Sequence, residues 1–390
     1  MKFIDFFAGI GGFRRGMELA GHECVGFCEF DKFATASYIS MHLLTDEQRR
    51  ALEDIPIKKR QKEILKEEYR NGEWYANDIR RVYAGDIPKA DCWCFGFPCQ
   101  DISVAGKQAG FQGNRSSLFF RVMYLVGQLE EDKPTYLFIE NVKNLLSVNG
   151  GWDFARLLIE MEQWGYDAEW QVFNSKDFGV PQNRERCFIV GHLRGRGSAE
   201  VFPIEGTNKE NSASLKLFGC INGRNSQRER VYDSGGLSLT ISTVPGGNTE
   251  PKIAIPVLTP DRAEKRQNGR RFKDDGEPMF TLTGQDRHGV AIKVKENTLD
   301  TSCNQGIFVQ VSEELVVYAV WYEKYQCYIA IRKLTPKECF RLQGWSDDYF
   351  EKAQFVNSDS QLYKQAGNGV TVSVIKAIAE KLKLGDEPNG

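Results

Sequence analysis

The 390-residue sequence predicts an α/β protein: a doubly wound, mostly parallel sheet with a smaller, mostly β domain. Three observations indicate this class. Strand and helix signals alternate over residues 1–193, as they do in successive βαβ units. Over residues 194–330, Gly, Asn and Thr become more frequent and short β-rich runs replace helical periodicity. Residues 331–390 are again helical in texture, which indicates a segment that returns to the first domain.

The elements of the predicted sheet follow from apolar runs of strand length and amphipathic stretches of helical length. Lys2–Phe7 and Glu23–Glu29 are strands separated by a helix over Gly12–Ala20, and a second helix begins near Asp31. The later strands are Asp91–Phe95, Thr135–Asn141 and a closing antiparallel pair, Tyr166–Phe173 and Arg186–Leu193, with helices over Ser117–Leu129 and Trp152–Trp164 and a last helix over Thr371–Leu384.

Two further segments have a distinct texture. Thr45–Trp74 is a helical insertion with eight acidic and eight basic residues, which is typical of a solvated face, and no chemistry is assigned to it. In the β-rich region, Leu237–Ser242 resembles Met279–Thr283, and each run precedes an apolar strand, Ile253–Ile255 or Val290–Ile292. We therefore predict two related hairpin-like units there.

Composition favours a soluble protein of a reducing compartment. Hydrophobic residues make up 41% and charged residues 27%, and no apolar run approaches the length of a membrane span. The ten cysteines are scattered, and the chain enters its first strand without a signal peptide, so we expect reduced thiols and a cytoplasmic location. Cys92, Cys94 and Cys99 lack the spacing of zinc ligands, and no metal is expected. The net charge of −2 means that nucleic-acid binding would depend on local clusters.

The most informative stretch is Gly96-Phe97-Pro98-Cys99-Gln100, which directly follows the buried strand Asp91–Phe95. Gly96 and Pro98 interrupt the strand ladder, so Cys99 is expected in a turn at the carboxyl edge of the sheet, where ligands collect. A thiol displayed there suits nucleophilic attack. The alternative is a small buried residue without reactivity.

Several polar residues have the positions expected of a nucleotide site. Gly9, Gly11 and Gly12 follow the first strand and would let the backbone approach a ligand closely. Arg14 occupies the last glycine position of the dinucleotide fingerprint, so NAD fits poorly. Glu29, at the end of the second strand, is placed to accept hydrogen bonds from a ribose. Asp78 is a candidate for an adenine amino group; the alternative for both carboxylates is a solvated loop charge.

Two motifs supply candidates for proton transfer and anion binding. Glu140 ends a buried strand beside the ligand edge, which suits a carboxyl of raised pKa, although it could be only a loop acid. Gln182-x-Arg184-x-Arg186 places two arginines two residues apart, hence on one face if the backbone is extended. Such a pair would bind a phosphate or a pyrimidine carbonyl and favour a nearby thiolate, or would form a surface salt-bridge ladder.

In this order the motifs resemble the C5-cytosine-specific DNA methyltransferase family of bacterial or phage restriction-modification systems. The resemblance covers nearly the whole chain and includes Arg332–Pro336, Arg341–Gly344 and Gly367–Val370. It implies the S-adenosylmethionine-dependent methyltransferase fold. Residues 1–193 would be the catalytic domain, 194–330 the target-recognition domain, and 331–390 a segment that returns to the catalytic domain.

The resemblance implies S-adenosyl-L-methionine as the cofactor and S-adenosyl-L-homocysteine as its product. Phe7 and Phe30 would pack on the adenine, Glu29 would bind the ribose and Asp78 the adenine amino group. The full set of implied cofactor residues is Phe7, Gly9, Ile10, Gly11, Gly12, Glu29, Phe30, Asp78, Ile79, Pro98, Asn368 and Val370. Related enzymes often have a serine where this chain has Gly369, so a side-chain contact there is not expected.

The implied reaction begins with addition of the Cys99 thiolate to C6 of a cytosine that has been flipped out of double-stranded DNA. Glu140 would hydrogen-bond or protonate N3, C5 would accept the methyl group, and Arg184 and Arg186 would hold the base and support the thiolate. The glycine-containing loop Ser103–Ser116 would close over the DNA. The alternatives are a C5 methyltransferase acting on RNA and a catalytically silent DNA-binding regulator.

DNA contacts are expected from the closing loop and from basic clusters in the recognition domain. Arg262–Lys273 contains six basic residues and one acid, and Arg224–Arg230 contributes three arginines. The candidates are Ser103, Lys107, Arg115, Arg224, Arg228, Arg230, Arg270 and Arg271. We expect a monomer in the bacterial or phage-infected cell, and any partner restriction endonuclease would act independently.

Replacing Arg270 and Arg271 with Gln should weaken DNA binding and flatten its dependence on salt concentration. Each arginine that contacts a phosphate releases condensed counterions on binding, so its loss reduces the slope of log affinity against log salt by about one. Binding to a duplex should be measured over a salt series. An unchanged slope would remove this cluster from the interface.

Overall fold

The computed structural model describes residues 1–98, 117–196, 198–206, 277–282 and 327–384, together with seven strands between Leu217 and Tyr322. For those seven strands and for Cys327–Lys333 the description covers the backbone only. Among the helices in these ranges, none is both long and apolar enough to span a bilayer.

The first sheet has seven strands in the order β3-β2-β1-β4-β5-β7-β6. Its strands are β1 (Lys2–Phe6), β2 (Glu23–Cys28), β3 (Trp74–Ala76), β4 (Cys92–Phe95), β5 (Tyr136–Val142), β6 (Tyr166–Asn174) and β7 (Glu185–Leu193). Strands β1 to β5 are parallel, whereas β7 runs antiparallel to both β5 and β6. The predicted doubly wound sheet and its closing antiparallel pair are therefore confirmed. Only β3 was missed, because a three-residue strand inside a charged segment has no detectable period.

Ten helices are described around this sheet. They are α1 (Gly12–Leu19), α2 (Lys32–His42), α3 (Asp46–Leu52), α4 (Ile57–Glu63), α5 (Ser117–Gly127), α6 (Trp152–Gln163), α7 (Pro336–Leu342), α8 (Asp347–Gln354), α9 (Asp359–Asn368) and α10 (Val372–Ala379). The predicted helices lie within a few residues of these bounds, except that α10 ends five residues before the predicted end at Leu384. Several of them cover the two faces of the sheet.

Both faces of the central strand β4 are buried, as expected of a parallel strand between two helix layers. Trp93 and Phe95 pack in one core with α5 and α6, whereas Cys92 and Cys94 face a second core. That second core contains residues of α1 and of α10, including Ile375. A Cβ on Gly16 of α1 would lie 2.5 Å from the Ile375 side chain, so the two helices are in close contact. Helix α10 of the carboxyl-terminal segment therefore packs against α1, beside the first sheet.

The second sheet has eight strands in the order β12-β13-β14-β15-β11-β10-β9-β8. They are β8 (Leu217–Cys220), β9 (Arg230–Tyr232), β10 (Lys252–Leu258), β11 (His288–Lys293), β12 (Leu299–Asp300), β13 (Ile307–Ser312), β14 (Leu315–Tyr322) and β15 (Cys327–Lys333). Every neighbouring pair is antiparallel except β9 with β10. This β-rich texture agrees with the sequence prediction.

Two details of the sequence prediction change in this region. The boundary at residue 330 falls inside β15, because pairing with β11 continues as far as Lys333. The strands predicted at Ile253–Ile255 and Val290–Ile292 are present in β10 and β11. The sequence pattern assigned them to two separate hairpin-like units, whereas in the structure they pair directly with each other. The repeat run Leu237–Ser242 lies outside the described residues. The division into domains stays a prediction.

The charged insertion does more than present a solvated face. Arg60 of α4 is buried and donates to the carbonyl oxygens of Leu52 and Phe355, with its guanidinium 3.8 Å from the Phe355 ring centroid. Glu73 accepts from Nη1 of Arg14 at 2.7 Å. For Arg60 and Glu73 the prediction of a solvated face is wrong. Charge balance in a sequence does not show which members of a charged segment pack inward.

Where the chain leaves β7, a second polar cluster anchors it. His192 contacts Oγ of Ser198 at 2.8 Å and Oε1 of Glu169 at 2.7 Å, and Glu169 also accepts from the backbone N–H of Val201. His192 lies opposite Tyr136, the first residue of β5, so this cluster is at the amino-terminal end of that strand. The cluster therefore ties the outgoing chain to the edge opposite the carboxyl ends of the parallel strands.

Glu73→Gln should lower the free energy of unfolding by about 3 kcal/mol, because it removes one of the carboxylates that pair with the buried Arg14 guanidinium. Glu63→Gln is the matched control, since Glu63 belongs to the same insertion but pairs with an exposed lysine, Lys66. Urea unfolding without ligands should show a large loss for the first variant and little change for the second. Equal stability of Glu73→Gln and wild type would contradict a structural role for the pair.

Candidate functional site

The carboxyl ends of the parallel strands bring the predicted cofactor residues to one edge of the sheet. Phe7–Gly12 follow β1, Glu29 and Phe30 follow β2, Asp78 and Ile79 follow β3, and Gly96–Pro98 follow β4. In open α/β sheets this edge is where ligands bind. The register of β1 with both β2 and β4 aligns these ends, so residues distant in the sequence become neighbours.

The turn after β1 has an unusual backbone that a carboxylate stabilises. Phe7 has φ of 53°, a conformation that costs a non-glycine residue about 1–3 kcal/mol and that often marks functional sites. Gly9 has φ of 56°, and its N–H donates to Oε2 of Glu29 at 2.7 Å. The other oxygen of Glu29 accepts from the N–H of Asp31, also at 2.7 Å. Burial raises the pKa of Glu29, whereas these two backbone bonds favour its ionised form.

Among the described residues, this turn is packed at Gly11 and Gly12 and open at Gly9. A Cβ on Gly12 would lie 2.6 Å from Cγ2 of Val370, and a Cβ on Gly11 would lie 2.4 Å from Nε2 of His42. At Gly9, by contrast, a Cβ would meet no described atom within 4 Å. The side chain of Ile10 is buried in a cluster with residues of α7 and α9, so a ligand would meet its backbone alone. A ligand can therefore approach the turn at Gly9.

The outer part of this edge carries an aromatic ring and a second carboxylate. Phe30 is 73% exposed, and the Arg80 guanidinium lies 5.6 Å from its ring centroid. Asp78 is buried and accepts from Nε and Nη2 of Arg80 at 2.8 Å each; these bonds lower the pKa of Asp78. A carboxylate offers about four lone-pair sites, so Asp78 retains capacity for a further donor. Ile79 is buried in the large core, and Asn368 is exposed at the end of α9.

This donor and acceptor set fits a nucleoside-containing cofactor such as S-adenosyl-L-methionine. An exposed aromatic ring can pack on a purine, and the Glu29 and Asp78 carboxylates can accept from hydroxyl and amino groups. The open side of Gly9 lets the backbone approach closely, since no side chain of the described residues occupies that space.

Next to this pocket, Glu140 pairs with Arg186. Nε of Arg186 lies 3.0 Å from Oε1 of Glu140, and both side chains are largely buried. Arg186 is opposite Val142 in the β5–β7 ladder, so Glu140, two residues earlier, is on the same face. A Cβ on Gly96 would lie 3.2 Å from Oε2 of Glu140, which shows how closely the chain after β4 passes this carboxylate.

The chain that leads to Pro98 is fixed at the same place. Nδ2 of Asn141 donates to the carbonyl oxygen of Phe97 at 3.1 Å, and both groups are buried. This bond joins the end of β5 to the chain leading to Pro98. Cys99 lies outside the described residues, as do the predicted DNA contacts Ser103, Lys107, Arg115, Arg224, Arg228, Arg270 and Arg271. Of Arg230 only the backbone, in β9, is described.

The sequence placed Arg184 and Arg186 on one face if the backbone is extended, and the structure gives the two arginines different partners. Strand β7 begins at Glu185, so Arg184 lies just outside it. Arg184 is 3% exposed, and its guanidinium donates to the carbonyl oxygens of Leu282 at 2.9 Å and Gly369 at 2.8 Å. Arg184 therefore joins three segments of the chain, whereas Arg186 contacts Glu140.

The sequence also did not predict the hydrogen bonds that the Gln182 side chain makes with distant backbone groups. Nε2 of the buried Gln182 donates to the carbonyl oxygen of Leu342, and its Oε1 accepts from the N–H of Leu282. Met279 and the residues flanking Gln182 exchange backbone hydrogen bonds in a short parallel bridge. No local sequence signal predicts these partners, since they lie about 100 residues or more away. Within the described ranges, no cluster of His, Cys, Asp and Glu is arranged to bind a metal.

Comparison with known proteins identifies the family of this chain. The sequence model of the C-5 cytosine-specific DNA methylase family matches residues 1–64 and 52–384. The chain is 30% identical to the orphan methyltransferase M.SPBetaI of Bacillus phage SPbeta, covering 98% of this chain and 97% of that protein. It is also 30% identical to the type II methyltransferase M.HhaI of Haemophilus parahaemolyticus, covering 97% and 93%.

Solved structures show the same fold at low sequence identity. The Entamoeba histolytica methyltransferase EhMeth has a TM-score of 0.53 at 15% identity, covering 98% of this chain and 97% of that one. The S. pombe Dnmt2 methyltransferase has a TM-score of 0.53 at 14% identity, covering 97% and 96%. Together with the family match along the chain, these similarities show that this protein belongs to the C-5 cytosine-specific DNA methylase family and is a DNA (cytosine-5-)-methyltransferase.

Proposed function

We propose that the protein methylates C5 of a flipped cytosine within a specific double-stranded DNA sequence, through a transient bond between Cys99 and C6. The observation that carries this proposal is the Glu140–Arg186 pair beside Gly96, in the chain that leads to Pro98. That pair lies at the same sheet edge as the open side of Gly9 and the Glu29 carboxylate. An acid, a cation and a thiol-bearing turn beside a nucleoside pocket suit this chemistry.

The cofactor, S-adenosyl-L-methionine, supplies an electrophilic methyl group and leaves as S-adenosyl-L-homocysteine. Glu29 accepts from the ribose hydroxyls, and Phe30 packs on the adenine, with Phe7 on the other side. Asp78 accepts from the adenine amino group. Asn368, exposed at the end of α9, and Val370, in contact with Gly12, close the pocket from the carboxyl-terminal segment.

Cys99 and Glu140 act together on the cytosine ring. The Cys99 thiolate forms a bond to C6, and the electrons of the C5–C6 double bond move into the ring. Glu140 donates a proton or hydrogen bond to N3, which stabilises the charge that develops there. C5 thereby becomes nucleophilic enough to accept the methyl group. Loss of the C5 proton to a base then re-forms the double bond and expels Cys99.

Arg186 and Arg184 have different roles in this proposal. Arg186 holds one oxygen of Glu140 and so orients the other toward the base. Arg184 is committed to backbone carbonyl groups of Leu282 and Gly369, so we assign it to positioning rather than to base contact. Through Gly369 it holds the end of the pocket next to Asn368.

The substrate is proposed to be duplex DNA because the β-rich second sheet would be of little use on an RNA loop. The named relatives include both an orphan and a type II methyltransferase. We propose that any partner endonuclease acts independently of this protein. We propose a monomer acting in the cytoplasm.

Comparing methyl transfer to duplex DNA and to tRNA tests the substrate, and bisulfite sequencing of DNA from expressing cells reveals the recognition site.

Cys99→Ala should abolish methyl transfer and leave the affinity for S-adenosyl-L-homocysteine nearly unchanged, because the thiol acts on the base alone. Covalent trapping on DNA containing 5-fluorocytosine should be lost as well, since the adduct requires that thiol. Cys92→Ala is the control, because Cys92 is buried on the opposite side of β4 from the main core. Wild-type turnover by Cys99→Ala would refute the nucleophile assignment; absent trapping by the wild type would favour a silent regulator.

Gly12→Ala should weaken S-adenosyl-L-homocysteine binding by about tenfold, because the added Cβ would overlap Val370 and displace the turn. Calorimetric titration should be repeated with Val370→Ala and with the double variant. Removing Cγ2 of Val370 relieves the closest contact. The double variant should therefore lose less affinity than the product of the losses in the two single variants. Strictly additive losses would show that the turn does not depend on this contact.

A further inference from the structure

We propose that His42 is a positioning residue for the cofactor turn Phe7–Gly12: its imidazole holds the Ile10 carbonyl and fills the space beside Gly11. His42 is the last residue of α2 and belongs to none of the motifs identified in the sequence. This role rests on the proposed cofactor site, because it concerns the conformation in which the turn meets S-adenosyl-L-methionine.

The first contact is a hydrogen bond that fixes the turn. Nε2 of His42 lies 3.0 Å from the carbonyl oxygen of Ile10, so Nε2 carries the proton and donates it to that oxygen. The Nδ1 atom is buried and has no hydrogen-bond partner among the described residues. One bond therefore selects the tautomer and, at the same time, orients the peptide between Ile10 and Gly11.

The second contact is steric. A Cβ on Gly11 would lie 2.4 Å from Nε2 and 3.0 Å from Cδ2 of His42, so the ring occupies the place of a side chain. Gly11 has φ of 83°, which a residue with a side chain would adopt only with strain. The ring and the glycine are therefore complementary, and the close approach depends on both.

The imidazole is itself held by aromatic rings from two parts of the chain. Ring centroids lie 4.9 Å away for Tyr38, 5.4 Å for Tyr349 and 6.0 Å for Trp345. Burial, together with the nearby charges of Arg14, Arg15 and Lys352, lowers the pKa of His42 well below its usual value. In the neutral ring the single N–H proton is on Nε2, so Nδ1 has no N–H group that needs an acceptor.

These contacts pre-organise the turn before a ligand binds. The Ile10 side chain is buried among residues of α7 and α9, and its carbonyl is held by His42. With Ile10 and Gly11 immobilised, the N–H of Gly9 stays on Glu29 and the open side of Gly9 keeps its shape. Pre-organisation of this kind strengthens binding by reducing the conformational entropy lost with the ligand.

The test is S-adenosyl-L-homocysteine binding by titration calorimetry to His42→Phe and His42→Gln. His42→Phe keeps an aromatic ring but leaves the Ile10 carbonyl without its donor, so affinity should fall about tenfold. His42→Gln offers an amide N–H and should recover part of this loss, and it keeps the test valid if His42→Phe fails to fold. With saturating cofactor, kcat should change less than KM.

His22→Phe is the matched control. Nε2 of His22 lies 3.0 Å from the carbonyl oxygen of Ala379, the same kind of bond made away from the cofactor turn. Loss of this bond should reduce thermal stability without weakening the binding of S-adenosyl-L-homocysteine. Wild-type affinity in both His42 variants, or equal weakening by His22→Phe, would overturn the positioning role. Failure of the wild type to bind S-adenosyl-L-homocysteine would instead overturn the proposed cofactor site and this role with it.

Discussion

The return of the carboxyl-terminal segment onto the glycine turn is the contact on which the rest of the site depends. Helix α10 packs against α1 through Gly16, and Val370 fills the space beside Gly12. The same segment supplies Trp345 and Tyr349, whose rings surround His42. A chain that ended before this segment would lack part of the core and one wall of the pocket. The two ends of the molecule thus form one structure, although more than 350 residues separate them.

Buried charges organise the molecule around this contact. Arg14, in the first turn of α1, pairs with Glu73 of the insertion, and Arg186 pairs with Glu140 near the end of β5. Arg184 instead donates to carbonyl groups of separate segments. Because burying a charge without compensation is expensive, each guanidinium restricts where its partners can lie. At Glu140 this restriction orients a carboxylate beside Gly96, in the chain that leads to Pro98.

Much of the architecture was predictable because regular periodicity is a local property. The alternating strands and helices of residues 1–193, and two strands of the β-rich region, β10 and β11, follow from apolar spacing and turn residues. The convergence of Glu29, Asp78 and Gly96 on one edge follows from the parallel arrangement. The inward placement of Glu73 and Arg60 was not predictable, because a charged segment carries no signal for which side chains find partners. Strand β3 was missed for the same lack of a local pattern.

The sequence alone determined the family, the order of the motifs and the sheet edge to which they belong, because these depend on residue identity and on short-range spacing. Only the tertiary structure decided that Arg184 and Arg186 have different partners, that Val370 packs against Gly12, and that His42 contacts the carbonyl oxygen of Ile10. Each of these contacts joins residues that are remote in the chain. Their distances are set by how helices and strands pack in three dimensions, and one-dimensional spacing does not encode that packing.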